Sequence, residues 1–286
     1  MTDTQFELAS GRKIGVSGYG DPTSNRIVLF CNPTAAAGAY NPDPVVTTRH
    51  NVHVIVIDRP GYGGSDPWDD ASHPTVQASA DDMTEYVTMC GIAERASNGE
   101  LTVGAVGWGW GGATAISFAA AHPTFISRVA VVGLVRPARA RRGEKSASAA
   151  ELLRLRFISS VAGAARSVDD QLGSGLAALG VDRDDPDLAQ LGSVGQTERL
   201  VAAAADDRCG IAFDRLAARD TTWADRSKEL QAKCFFVYGD KDCVATTADA
   251  NWYERQIPHS TVVHVVESGR LVIIPTWDAI LHHVAG

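Results

Sequence analysis

The stretch Leu101–Gly112, LTVGAVGWGWGG, decides the fold, because a buried strand and a helix meet within it. Its first half, Leu101–Val106, is an almost continuous apolar run, which is typical of a strand covered on both faces. Four glycines follow among the next six residues, and Trp110–Ala121 is then typical of a helix. A strand that turns through glycines directly into a helix predicts the α/β class.

Other apolar runs alternate with helix-like segments along most of the chain. The predicted strands are Arg26–Cys31, His53–Ile57, Leu101–Val106, Val129–Val132, Cys234–Tyr238 and Thr261–Val266. The predicted helices are Thr75–Cys90, Trp110–Ala121, Thr246–Gln256 and Thr276–Val284. Phe6–Ser10 and Lys13–Ser17 predict an antiparallel hairpin at the start. Strands that alternate with helices predict an α/β fold with a mostly parallel sheet flanked by helices.

One region, residues 136–209, breaks this alternation. It is rich in Ala, Leu, Arg and Asp and has no strand pattern, while Ala149–Ile158 and Glu198–Ala205 have helical spacing. Its most loop-like part is Val181–Leu188, VDRDDPDL. We therefore predict a core domain formed by residues 1–135 and 210–286, with a helical insertion over residues 136–209.

The charge balance argues against several classes of partner. The 286 residues include 26 Lys and Arg against 34 Asp and Glu, which gives a net charge of −8 and a pI near 5.4. General affinity for nucleic acid or for an anionic membrane usually needs a basic surface, so we expect neither partner. The basic run Arg136–Lys145 is interpreted as a solvated segment.

The cysteines and the first residues indicate the cytoplasm. The five cysteines are widely spaced, and no Cys/His cluster has the spacing of a zinc site, so we expect reduced thiols and no metal. The segment Met1–Lys13 is polar and lacks the apolar stretch of a signal peptide. The longest uncharged stretch, Leu101–Thr124, changes from strand-like to helix-like and does not predict a membrane span. No cofactor is predicted.

Four motifs near the ends of predicted strands resemble the α/β-hydrolase fold superfamily, and the actinobacterial-type α/β-fold hydrolases in particular. They are Asp58–Asp66 (DRPGYGGSD), Gly107–Gly112 (GWGWGG), Gly239–Asp242 (GDKD) and Ser268–Arg270 (SGR). The resemblance covers nearly the whole chain, and the helical insertion matches the position of the family's cap. It implies a nucleophile at the second motif, an acid at the third and a base at the fourth.

The chain departs from the family pattern at two of these three catalytic positions. Gly109 stands where the resemblance implies the nucleophilic Ser, and Arg270 stands where it implies the His base. Only Asp242, at the acid position, matches. Cys31 and Cys243 lie near strand ends, but we interpret both as small apolar residues rather than as substitute nucleophiles. The resemblance therefore predicts a hydrolase fold with a degenerate catalytic triad.

The anion-stabilising part of the site remains predictable from the resemblance. In this fold the oxyanion hole uses the N–H after the nucleophile, here that of Trp110, and an N–H from the loop after the third strand. That loop is Asn32-Pro33-Thr34, and Thr34 is the candidate second donor. The start of the helix near Trp110 adds the positive end of a helix dipole.

Arg270, Trp108 and Trp110 each have two possible roles. Arginine stays protonated and cannot act as a base, so Arg270 either only pairs with Asp242 or also faces the pocket and binds an anion. Trp108 and Trp110 flank the glycine turn, where they either pack against the sheet or line the ligand pocket. The candidate ligand-binding residues are Asn32, Thr34, Trp108, Trp110 and Arg270.

The glycine turn also matches the dinucleotide fingerprint G-x-G-x-x-G, which would indicate a nucleotide-binding oxidoreductase. We reject that class, because the match follows a strand well inside the chain and because Val129–Arg136 contains no acidic residue.

Three functional hypotheses remain within the hydrolase fold. The chain is a pseudo-enzyme that binds a small, possibly anionic molecule; or a lyase, isomerase or cyclase without covalent catalysis; or a residual hydrolase in which Asp242 activates water.

Overall fold

The structure is a computed structural model that describes residues 4–38, 40–68, 74–137, 176, 179–182, 184–191 and 208–286. The segments Ala149–Ile158 and Glu198–Ala205 of the predicted insertion lie outside the described residues, as does most of the basic run. The helical insertion and its bounds therefore stay predictions.

The described strands form one eight-stranded sheet in the order β1-β2-β4-β3-β5-β6-β7-β8. They are β1 (Thr4–Glu7), β2 (Lys13–Gly20), β3 (Arg26–Cys31), β4 (His53–Ile57), β5 (Thr102–Trp108), β6 (Ile126–Val132), β7 (Lys233–Gly239) and β8 (Ser260–Val265). Strand β2 pairs antiparallel with β1 and with β4, and every other pairing is parallel. The predicted mostly parallel sheet is confirmed.

Helices cover both faces of the sheet. They are α1 (Pro44–His50), α2 (Val76–Met89), α3 (Ile92–Ser97), α4 (Gly111–Ala121), α5 (Arg208–Ala217), α6 (Trp223–Arg226), α7 (Thr247–Gln256) and α8 (Ile273–Ala285), with 3₁₀ turns at Pro186–Leu191 and Ser227–Glu229. Apolar residues of α2, α4 and α7 pack on one face, and those of α8 pack on the other. Along β5, Val103 and Ala105 face the first layer, while Val106 and Trp108 face the second. This alternation follows from the two-residue repeat of a strand.

Side chains before the helices explain where several of them begin. The Asp43 carboxylate accepts the N–H groups of Val45 and Val46, with Pro44 as the first residue of α1. Thr75 caps α2 by accepting the N–H of Ala78 at 3.0 Å. Thr246 and Asp249 form a reciprocal capping box at the start of α7.

The glycines of the decisive stretch allow α4 to begin directly against the end of β5. A Cβ on Gly107 would lie 2.6 Å from the backbone nitrogen of Gly112, so only glycine permits this approach. Gly109 has a left-handed φ of 53°, and its N–H donates to Val132 O at 2.8 Å. The turn is therefore fixed by backbone contacts to α4 and β6.

The observed elements differ from the prediction in a few places. The first strand is Thr4–Glu7 rather than Phe6–Ser10, because Leu8 and Gly11 form the turn that leads to β2. Helices α1 and α3 were not predicted, since they span only seven and six residues and show no clear apolar repeat. Strand β8 is an edge strand with exposed side chains rather than a strand buried on both faces.

Replacement of Gly107 by Ala is expected to lower the free energy of unfolding by about 3 kcal/mol or more, because the new methyl group overlaps the start of α4. The matched control is Gly99→Ala. Gly99 also has a positive φ, of 78°, but it has open space around it, so we expect a cost of only about 1–2 kcal/mol there. Urea unfolding measures both, and equal costs would contradict the close approach at Gly107.

Candidate functional site

The predicted site residues lie at one edge of the sheet, because they follow parallel strands that all end there. Asn32 follows β3, Gly109 follows β5, Asp242 follows β7 and Arg270 lies beyond β8. Gly133, at the end of β6, lies between them. The structure therefore brings Gly109, Asp242 and Arg270 together, as the order of the motifs predicts.

The space above Gly109 is occupied by the Arg270 side chain. A Cβ on Gly109 would lie 2.8 Å from Nη2 of Arg270 and 3.0 Å from Cβ of Pro33. Real Cβ atoms are almost never found within 3.0 Å of another heavy atom. A side chain at position 109 would therefore require the Arg270 guanidinium to shift from its observed position.

Arg270 is buried, and two of its three guanidinium nitrogens are hydrogen-bonded. Its Nη1 donates to Gly133 O at 2.7 Å and forms an ion pair with Oδ2 of Asp242 at 3.2 Å. Its Nε donates to Leu179 O at 3.3 Å. Only 7% of the residue is exposed, and within the described ranges no acceptor binds Nη2. Nε and Nη1 are therefore both bound, and Nη2 faces Gly109 with its donors available.

Asp242 has both carboxylate oxygens engaged. Oδ1 accepts the N–H groups of Val244 at 2.8 Å and Ala245 at 3.0 Å, while Oδ2 pairs with Arg270. Its side chain is completely buried. A carboxylate with these partners is oriented for a structural ion pair and is poorly placed to take a proton from water.

Two buried aspartates accept hydrogen bonds from the loop that carries Arg270. The sequence analysis does not single them out. Asp185 accepts the N–H of Arg270 at 2.7 Å, and Asp187 accepts the hydroxyl of Ser268 at 2.7 Å and the N–H of Gly269 at 2.8 Å. Burial raises the pKa of Asp185, and hydrogen bonds from the N–H groups of Asp187 and Arg270 offset part of that effect. The only sequence signal is a D-P-D triplet in the segment Val181–Leu188, which was predicted to be loop-like and instead leads into the 3₁₀ turn Pro186–Leu191.

The loop after β3 is held by a second buried ion pair. Arg59 binds Asp214 of α5 with two hydrogen bonds, of 3.1 and 2.7 Å, and also donates to the carbonyl groups of Asn32 and Pro33. Burial lowers the pKa of Arg59, but the Asp214 carboxylate, Tyr62 and Cys31 together outweigh it, so the pKa is raised and Arg59 stays charged. Thr34 Oγ1 donates to the same carboxylate at 2.8 Å.

The side chains of Asn32 and Thr34 therefore serve the loop itself. The Asn32 amide donates to Gly38 O at 3.0 Å, and Asn32 is 3% exposed. The backbone N–H of Thr34 binds no acceptor that the structure describes, as the prediction of a second oxyanion donor requires. Asn32 positions this loop, whereas Thr34 remains a candidate donor through its backbone.

The two tryptophans have different surroundings. Trp108 is 1% exposed and packs against Tyr40 in the core, which favours the packing alternative over a pocket wall. Trp110 is partly buried and forms an edge-to-face contact with Trp223. The backbone N–H groups of Trp110 and Gly111 have no acceptor in the part of the chain that the structure covers. They are the free donors at the start of α4.

Neither candidate cysteine is an activated nucleophile. Burial raises the pKa of the Cys31 thiol to about 12, so it stays protonated. Cys243 is exposed. The pKa of its thiol is raised, mainly by its hydrogen bond to Asp182 and to a smaller extent by partial burial. Among the described residues, no group of His, Cys, Asp and Glu side chains could hold a metal ion, and no helix is long and apolar enough to cross a membrane.

An open cavity of about 520 Å³ reaches Arg270 next to the buried Asp185. It is lined by Gly180, Asp182, Asp184, Asp185, Pro186, Lys241, Cys243 and Arg270. Three carboxylates against two cations make this entrance acidic.

Comparison with known proteins agrees with this geometry. The family model of the alpha/beta hydrolase fold matches residues 37–275, and the chain therefore belongs to the α/β-hydrolase fold family. No curated protein matches the sequence. The structure is similar to a hydrolase from Pseudomonas aeruginosa PA01, with a TM-score of 0.71 and 16% identity over 99% of this chain and 97% of that one.

Two further solved structures share the fold. An enol-lactonase from Burkholderia xenovorans LB400 has a TM-score of 0.68 and 16% identity, covering 98% of this chain and 97% of its own. An esterase from Exiguobacterium antarcticum has a TM-score of 0.67 and 19% identity over the same shares. At these identities the similarity concerns the fold alone.

Replacement of Asp242 by Ala is expected to lower the free energy of unfolding by about 3–5 kcal/mol, because it leaves the buried Arg270 charge without its partner. Urea unfolding measures the change. Glu100→Ala is the control, since its pair with Arg95 is more than half exposed and should contribute less than about 1 kcal/mol. A small effect at Asp242 would mean that the pair is not buried in solution.

Replacement of Asp187 by Ala is expected to cost about 1.5–3 kcal/mol for each charged hydrogen bond lost at Ser268 and Gly269. Asp184→Ala, in the same segment but exposed, is the control and should be nearly neutral. Hydrogen exchange should also speed up at Gly269 in the Asp187 variant alone. Unchanged exchange there would contradict the contact.

Proposed function

We propose that this chain is a non-hydrolytic member of the α/β-hydrolase fold family that binds a small molecule. The observation that carries the proposal is the position of the Arg270 guanidinium against Cα of Gly109. A cation that cannot lose its proton occupies the space in which a nucleophilic side chain would stand.

The remaining groups of the site support this proposal over residual hydrolysis. A serine hydrolase needs a nucleophile, a base that takes its proton and an acid that orients the base. Gly109 offers no nucleophile, Arg270 offers no base, and Asp242 has its oxygens bound to two N–H groups and to Arg270. Neither Cys31 nor Cys243 has a lowered pKa that would make it a replacement.

One observation favours a second candidate, an enzyme without a covalent intermediate. The free N–H groups of Trp110 and Gly111, together with Arg270, are donors of the type that stabilises an enolate or a similar developing charge. A lyase, isomerase or cyclase would use such donors. Turnover of a ligand separates this candidate from a binder, because a binder shows saturable affinity and no product.

The wider setting of the protein belongs to the same proposal. We place it in the cytoplasm, on the basis of its widely spaced cysteines, four of which are free within the described residues, with a small-molecule ligand rather than nucleic acid or membrane as partner. We also propose that residues 136–209 form the cap over the core of residues 1–135 and 210–286.

The purified protein is expected to show no hydrolysis of short-chain nitrophenyl esters above the buffer rate, whereas Gly109→Ser/Arg270→His should gain measurable turnover. The double change restores a nucleophile and a base and removes the guanidinium that blocks position 109. The left-handed turn should hold a serine at a cost of about 1–3 kcal/mol.

The single variant Gly109→Ser is the matched control, and it should stay inactive because it has no base and because the Arg270 guanidinium lies against its side chain. Turnover by the native protein would overturn the proposal. Turnover by Gly109→Ser alone would mean that Arg270 does not occupy the nucleophile position in solution.

A further inference from the structure

We infer that Arg270 and the first N–H groups of α4 form a binding site for a single carboxylate group of the ligand. This inference rests on the proposed function, because it assigns the chemical class of ligand to the same site. It is carried by Nη2 of the buried Arg270, which binds no described acceptor, and the start of α4 adds to it.

The first step concerns the donors of Arg270. Nη1 and Nε are bound by Asp242, Gly133 and Leu179, while Nη2 points towards Gly109 and binds no described acceptor. Only 7% of the residue is exposed, so bulk water reaches little of its surface. A charge-assisted hydrogen bond in such surroundings is stronger than one between neutral groups.

The second step concerns the start of α4, which directly follows Gly109 in the chain. Trp110 is the N-cap and Gly111 the first residue of α4, an 11-residue helix, and their N–H groups bind no acceptor among the described residues. Because residue 109 has no side chain, nothing on that residue covers these donors. A helix N-terminus with free N–H groups favours an anion.

The third step selects the charge of that anion. Asp242 already neutralises most of the Arg270 charge, and Asp182, Asp184 and Asp185 line the cavity that reaches Arg270. Each further negative charge on a ligand would meet repulsion from these carboxylates. A carboxylate, with one charge and two oxygens for two kinds of donor, fits this balance better than a phosphate dianion.

The experiment titrates ¹⁵N-labelled protein with acetate, and with acetamide as the neutral analogue and phosphate as the dianion, at constant ionic strength. Backbone N–H signals of Trp110 and Gly111 should shift saturably with acetate and should not shift with acetamide. Phosphate should bind more weakly than acetate. Equal responses to acetate and acetamide, or tighter binding of phosphate, would overturn the inference.

Three variants test the assignment to Arg270. Arg270→Gln should weaken acetate binding by more than about tenfold, since it removes the charged donor. Asp242→Asn should strengthen binding on the order of tenfold, because it removes the charge that neutralises Arg270 and keeps an oxygen for Val244 and Ala245. Arg95→Gln, which removes an exposed cation paired with Glu100 outside this cavity, should leave the affinity unchanged.

The opposite effects expected at Arg270 and Asp242 separate ligand binding from simple loss of structure, which would weaken binding in both. If Arg270→Gln does not fold, Asp242→Asn still decides the matter, because weaker or unchanged binding there overturns the inference. Loss of binding in Arg95→Gln would overturn it as well. Absence of acetate binding in a protein inactive towards esters overturns this inference alone, whereas ester turnover overturns the proposed function.

Discussion

The Arg270 guanidinium lies where a side chain of residue 109 would begin, and the rest of the site depends on this position. A buried positive charge requires compensation, and it is supplied by the Asp242 carboxylate and by the carbonyl groups of Gly133 and Leu179. It also requires room, which two glycines with positive φ provide: a Cβ on Gly109 or Gly133 would lie 2.8 or 2.9 Å from a guanidinium nitrogen. The charge, its acceptors and the missing side chains form one arrangement.

Membership of the α/β-hydrolase fold family and the present site are compatible, because a fold fixes positions and the side chains at those positions decide the chemistry. The sheet, the glycine turn and the acid loop remain at the ends of β5 and β7. A hydrolase presents its N–H donors to a charge that exists only during reaction. A permanent cation beside the same donors suits a charge that the ligand carries all the time.

Much of the fold and the core of the site could be predicted from the sequence. Apolar runs fixed the central strands closely, and the order of the motifs brought Gly109, Asp242 and Arg270 together, because parallel strands end at one edge. It could not be predicted that Nη2 of Arg270 binds no described acceptor, since a sequence does not say which donors of a guanidinium are already bound. The roles of Asp185, Asp187 and Asp214 also escaped prediction, because they depend on contacts between residues far apart in the chain.

These three aspartates have a consequence for the order in which the molecule loses structure. Asp187 and Ser268 are 81 residues apart, and Arg59 and Asp214 are 155 apart, so both ties close long loops of chain. One joins Asp187, within the proposed cap, to the Arg270 loop. The other joins Asp214, just after the proposed cap, to Arg59, which binds the loop of Asn32 and Thr34. A partial opening that releases these segments would dissolve the ligand site while the sheet stays folded. The binding site and the proposed cap would then melt as a single cooperative unit, separate from the sheet.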